Sequence, residues 1–350
     1  MFKTQHSNQH YLKNRTLLKN LHLSKASYTW YEDGNMKTTK YRDYDIILCD
    51  PETYEECKNQ IILQMINRKR YDSGKNRTSN ISEEELDKLD DDDIEESVSK
   101  IIKFDETGFT DDVIYNIKLG YHNKRLYESN KNRVKEITQE EQDAINLEDC
   151  VIRVYTFSHI PLDEKKIYKK VADKYVPLNF PPYKHYVLRN GKLHCVAMSH
   201  YNKNKEFSTT HGQINNDHAM GILLICSRYA QSHNWRGYSY AEDMQGHAVV
   251  QLTQVGLQFN ELFSENVFAY YTQSIKNAFT IIFNQEKLAQ TTRDNLLIEQ
   301  MKSPSWTRQL EIELSSAEHW NEVLEKQLNS DVTDVSVEKY KEENDDNDYY

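Results

Sequence analysis

The chain has 350 residues, 38% of them hydrophobic and 28% charged, with a net charge of −11, 24 Tyr and only 10 Gly. This is an ordinary globular balance, long enough for two domains, and no apolar run approaches the roughly 18–20 residues that span a bilayer. The charge is unevenly spread. Glu83–Glu96 contributes −9 and Glu311–Tyr350 contributes −10, which leaves +8 on everything else. A mildly basic body with two acidic segments is compatible with a nucleic-acid partner.

The opening residues Met1–His10 are polar and lack the basic-then-apolar pattern of a signal peptide. With no CxxC pairing among Cys49, Cys57, Cys150, Cys195 and Cys226, the cysteines read as reduced thiols of a cytoplasmic protein (host-cell cytoplasm if viral). The first segment, residues 1–72, is rich in Tyr, Thr and Ile around Asp33-Gly34-Asn35. This predicts a hairpin of Ala26–Tyr31 with Met36–Cys49. Residues 73–96 read as an acidic, disordered linker. Residues 97–211 read as mixed α/β, with a strand over Cys150–Phe157 and a hairpin of Tyr186–Leu188 with Leu193–Ala197 closed by Asn190-Gly191. Neither 1–72 nor 97–211 carries a recognisable role.

Residues 212–300 differ in texture, with no Pro from Gln213 to Gln300. Three helices are predicted there. The first starts at Asn216 or Asp217, runs to about Ser232, and is apolar around most of its circumference, so a central place is expected. The second opens on a capping box, Ser239 with Glu242, and carries the stripe Met244, Ala248, Leu252, Val255, Phe259 at helical spacing. The third is capped by Asn266 and carries Phe268, Tyr271, Ile275, Phe279 and Ile282. Beyond Pro304, residues 301–350 read as one more helix, Trp306–Leu328, and an acidic tail. The fold class expected is α+β, a β-containing N-terminal part followed by an all-α helical domain.

The spacing within the second and third helices carries a resemblance. The run from Asp243 to Phe259-Asn260 resembles region 2.2 of RNA polymerase sigma factors. The run from Asn266 through Ala269-Tyr270-Tyr271-Thr272-Gln273 to Asn277-Ala278-Phe279 and Glu286-Lys287 looks like regions 2.3 and 2.4. It is most similar to the late-transcription sigma factors of T-even-type bacteriophages, without a gap from Asp243 to Lys287. Three departures stand out. Gln273 and Ser274 replace the paired Trp of primary sigmas, Thr280–Asn284 lacks the basic residues usual in late sigmas, and Gly246-His247 replaces a Gln-Glu pair.

The resemblance implies transcription initiation rather than an enzyme, with no cofactor and no metal. It implies two partners, the clamp coiled coil of core RNA polymerase and AT-rich promoter DNA with a −10-like element. The polymerase-binding set is Asp243, His247, Gln251 and Gln254. The DNA-binding set is Tyr270, Tyr271, Gln273, Lys276, Asn277 and Thr280, in which amides can read adenine edges and Lys can hold phosphate. The family's sliding-clamp contact would fall on the tail, Lys341–Tyr350. The rival reading is a phage scaffold or structural protein with a helical bundle and no promoter recognition. No HExxH, phosphate loop or nucleophile motif argues for an enzyme.

Overall fold

A computed structural model describes residues 12–34, 36–129, 131–163, 170–318 and 321–322. α1 (Asn14–Ala26) leads into β1 (Thr29–Tyr31), and β2 (Ile46–Cys49) precedes α2 (Tyr54–Asp72). Two short helices, α3 (Glu83–Leu86) and α4 (Asp91–Val98), come before β3 (Ile102–Lys103), α5 (Asp111–Glu128) and α6 (Gln139–Asp143). Strands β4 (Ile152–Tyr155), β5 (Tyr183–Arg189) and β6 (Lys192–Ser199) follow, then helices α7 (Asn216–Ala230), α8 (Ala241–Val255) and α9 (Val267–Glu299). The architecture is mixed α/β, with helices in the C-terminal half.

The strands form one sheet in the order β1-β6-β5-β4-β2-β3. β2 is parallel to both β3 and β4, and the other pairings are antiparallel. Leu48, Ile152 and Val154 of the sheet bury against Ile117 and Tyr121 of α5 and against Phe104. Gly120 makes this packing possible, because a Cβ there would lie 2.6 Å from the carbonyl oxygen of Asp45. The β5–β6 hairpin forms where expected. Asn190 and Gly191 both adopt positive φ, 51° and 72°, which the tight turn requires.

Several expectations are corrected. β1 and β2 do not form a hairpin: β1 pairs with β6, and β2 runs parallel to β4. Long-range pairing wins because Ile46–Cys49 is bonded on both sides, between β4 and β3, whereas Thr29–Tyr31 fits the free edge of β6. Nor is the acidic stretch a disordered linker. Leu89 packs on Ile62 and Ile66 of α2, with Ile94 and Val98 beside them, so a few apolar side chains fasten α4 while its acids face solvent. α7 is not buried all round, since Met220 and Leu223 are exposed. The Ser239 capping box is not made; α8 begins at Ala241 with no side-chain cap. On α9, Phe268 is exposed, and Val267 and Ala278 join Tyr271, Ile275 and Phe279 as the buried apolar residues.

Two compact units divide the chain, Met1–Ala278 and Phe279–Tyr350, so the boundary falls inside α9. In the second unit, Asp294 accepts hydrogen bonds from the amide (2.9 Å) and hydroxyl (2.6 Å) of Ser305, which start a helix over residues 306–318. The rest of the expected Trp306–Leu328 helix lies largely outside the described residues. The tail Lys341–Tyr350 and the opening Met1–His10 lie wholly outside them. Among the described residues no helix is long and apolar enough to cross a membrane.

Candidate nucleic-acid and polymerase interface

The helices that carry the resemblance are held by a shared polar core. Asn215 caps α7 by accepting from the Asp217 amide. One turn in, His218 is buried between α1 and α9: its Nδ1 lies 2.8 Å from Ser24 Oγ and its Nε2 2.6 Å from the Tyr271 hydroxyl. Ser24 already donates to the Asn20 carbonyl and accepts from the Asn215 amide. Its single proton is therefore committed, so Nδ1 carries the imidazole hydrogen and Nε2 accepts from Tyr271. Burial lowers the His218 pKa to about 4, so the ring is neutral at ordinary pH.

α8 buries Met244, Ala248 and Leu252 and ends at Val255, followed by a 3-10 turn over Gly256–Gln258. α9 reaches back to that turn. Tyr270 donates to the Val255 carbonyl at 3.0 Å, and the Tyr271 hydroxyl lies 3.2 Å from the Gly256 carbonyl. The Tyr270 bond occupies a backbone acceptor that the end of α8 leaves open.

The connection between α8 and α9 is pinned by a buried ionic cluster. Lys25 of α1 donates to the Phe259 carbonyl at 2.6 Å and to both carboxylate oxygens of Glu261 at 2.9 Å. Arg153 of β4 lies 3.8 Å from the same carboxylate and stacks between Tyr44 and Tyr183, 3.8 and 4.0 Å from their centroids. His22 Nε2 is 3.2 Å from it. Burial pushes the Glu261 carboxyl upward, but these neighbours, Lys25 foremost, outweigh it and hold the group well below the usual carboxylate range. Asn14 then clasps the start of α9, donating to the Glu265 carbonyl and accepting from the Phe268 amide, while Asn266 accepts from the Ala269 amide as N-cap.

A cleft of about 540 Å³ lies between α1, α5 and this loop, with Arg15, Lys19, His22, Tyr44 and Glu261 among its walls. Three of its cations pair with acids: Lys124 with Asp45, Arg133 with Glu265 and Arg42 with Asp43. Such pairing gives no funnel for a polyanion.

The candidate residues are distributed as follows. Asp243 and Gln254 are exposed on α8, while His247 and Gln251 are half-buried; the Nε2 atom of His247 is buried with no hydrogen-bond partner. On α9, Tyr271 is fully buried in the core, so its side chain is not placed to meet DNA. Tyr270 is half-buried with its hydroxyl engaged. Gln273 is half-buried, and Lys276, Asn277 and Thr280 are exposed. Gln273 donates to Asn277 Oδ1 at 2.8 Å, bringing those two together. Among the described residues, no three His, Cys, Asp or Glu side chains are grouped to hold a metal.

Sequence reasoning missed Lys25, Arg153 and Glu261. Lys25 and Glu261 lie 236 positions apart, and a lone Glu in a polar connection reads as solvated. Comparison of the chain with family models, curated proteins and solved structures finds no match.

Proposed function

We propose that the chain is a sigma-type transcription initiation factor, with α8 as its polymerase-docking helix and α9 as its promoter-reading helix. The observation that carries the reading is the division of α9 into two faces. Tyr271, Ile275 and Ala278 are fully buried, while Lys276 and Asn277 are exposed with half-buried Gln273 beside them, a cation and two amides. A helix lying in a groove of DNA needs such a face, since a carboxylate there would repel phosphate. Asp243 and Gln254 on the outer side of α8 supply the docking contacts, and the factor acts in the cytoplasm, where core polymerase is found. Few cations flank the polar row, so duplex binding depends on assembly with the polymerase. Without a Trp pair, melting relies on TA steps, which unstack most easily.

The test is run-off transcription with core RNA polymerase on a library of AT-rich promoters. Asn277→Ala is expected to relax the preference at one base pair, at a cost of about 1–3 kcal/mol. Lys276→Ala is expected to weaken all sequences alike and to flatten the salt dependence. Asp243→Arg combined with Gln254→Ala is expected to weaken co-purification with the polymerase while the fold persists. A chain that neither binds polymerase nor protects any promoter is a scaffold protein with a helical bundle, and the proposal falls.

A further inference from the structure

Cys49 closes β2, and Cys57 lies in the first turn of α2. The intervening turn folds back so that their sulfurs lie 3.3 Å apart, with the Thr53 hydroxyl also 3.3 Å from the Cys49 sulfur. Both thiols are buried. Cys150 and Cys195 differ, facing the backbone carbonyls of Asn146 and Ala197.

A disulfide requires sulfurs about 2.05 Å apart, so closure from 3.3 Å asks for a movement of only about 1.3 Å. We propose that Cys49 and Cys57 are a reversible disulfide-forming pair, a modification site whose oxidation is transmitted to the loop entering α9. The transmission follows from packing. Cys49, Cys57 and Ile101 form one buried cluster, and Leu262 and Phe263 pack directly against it, next to the pinned Glu261. Drawing α2 toward β2 alters the surface on which those two side chains rest. Interiors are too tightly packed to absorb such a shift silently.

The oxidant is a peroxide. The Cys49 thiolate attacks one peroxide oxygen, the O–O bond breaks, and the departing hydroxide leaves as water with the proton that Cys49 gave up. Cys49 is then a sulfenic acid. The Cys57 sulfur attacks the Cys49 sulfur, the S–O bond breaks, and a second water leaves with the Cys57 proton. Two thiols are oxidised by two electrons and one peroxide is reduced. The order of attack follows from the surroundings. The Cys57 thiol, and after it the Thr53 hydroxyl, can donate to a Cys49 thiolate and lower its pKa, whereas the Cys57 thiol is driven up by holding its proton toward Cys49.

The experiment treats the full chain with hydrogen peroxide under native conditions, then alkylates it in denaturant and maps the peptides. The expected result is three alkylated cysteines out of five, a peptide pair linking Cys49 to Cys57, and full recovery with dithiothreitol. Amide exchange over residues 259–265 is expected to quicken several-fold in the oxidised form. Cys57→Ala is expected to leave a trappable sulfenic acid on Cys49; where that variant fails to fold, the wild-type map still decides. Five alkylated cysteines, or oxidation confined to Cys150, Cys195 or Cys226, overturns the pair. A clean disulfide with unchanged exchange at 259–265 overturns the transmission.

Discussion

Replacing Glu261 by Gln tests whether the buried ionic cluster holds the α8–α9 connection. The Lys25 ammonium lies 2.9 Å from both carboxylate oxygens, with side-chain exposures of 1% and 8%. At an effective dielectric constant of about 20, two unit charges at that distance attract by roughly 6 kcal/mol before desolvation is counted. Desolvation offsets much of that in the intact pair, but it is not recovered when one partner is removed, and breaking a buried pair typically costs about 3–5 kcal/mol. Gln keeps an oxygen for Lys25, so the lower end, about 3 kcal/mol, is expected. That is more than a hundredfold in the folding equilibrium and a loss of roughly 1 M in the urea midpoint. Removing both charges together, as in Lys25→Met with Glu261→Leu, is expected to cost less than Glu261→Gln alone. Glu261 has a depressed folded pKa, so its contribution is complete above the unfolded carboxylate range and is lost only as pH falls through the strongly acid folded value. The measurements are urea unfolding curves at pH 7. A Glu261→Gln midpoint corresponding to less than about 1 kcal/mol, with unchanged slope, would refute the cluster as the anchor.

Two further outcomes follow from the same core. Burial holds His218 at about 4, and His159 and His200 at about 3, against an ordinary value of 6.5. The unfolded chain therefore takes up protons first, and stability, complete above 6.5, declines as pH falls toward 4. Urea midpoints at pH 7 and pH 5 check this, His218→Gln is expected to reduce the difference, and a higher midpoint at pH 5 would contradict it. Gly120→Ala is expected to lower the melting temperature through about 1–3 kcal/mol of strain against the Asp45 carbonyl. Gly108→Ala, with nothing within 4 Å, is expected to be neutral, and equal melting of the two variants would mean that α5 can move aside.

What the sequence made legible was local. Asn190-Gly191 announced the β5–β6 hairpin because two consecutive left-handed residues demand that chemistry. The periods of α8 and α9 announced their buried faces at Met244, Ala248 and Leu252, and at Tyr271 and Ile275. What stayed hidden depends on distant partners. Thr29 meets Ser199 across β1 and β6, and nothing near Thr29 says so. The acidic run concealed α4, because composition averages over the few apolar side chains, Leu89, Ile94 and Val98, that fix it to α2. Of the candidate site, the exposure of Lys276, Asn277 and Asp243 was readable from helical phase. The stripe already placed Tyr271 inward; what it could not show was the partner of its hydroxyl, because His218 comes in from α7.

That burial changes which residues of the motif bear on function. Tyr270 is tied to Val255, Tyr271 to His218, and the Thr272 hydroxyl to the Phe268 carbonyl. All three serve the helix pair itself and would suit a bundle of any purpose. Under the proposed reading, the contact with DNA therefore falls on Gln273, Lys276 and Asn277. Between the first and third of these, Gln273 Nε2 donates to Asn277 Oδ1, which leaves the Asn277 amide nitrogen as a donor and the Gln273 oxygen as an acceptor outside that bond. An adenine edge in the major groove presents the complement, an acceptor at N7 and a donor at N6. A pair of amides joined in this way can read one base as a unit, with the orientation of each fixed by the other. Losing either amide removes one half of the pair and frees the other side chain. Under the proposed reading, Asn277→Ala and Gln273→Ala are both expected to relax promoter preference at the same base pair, and run-off transcription that shows a change at different positions, or none, would refute the paired readout.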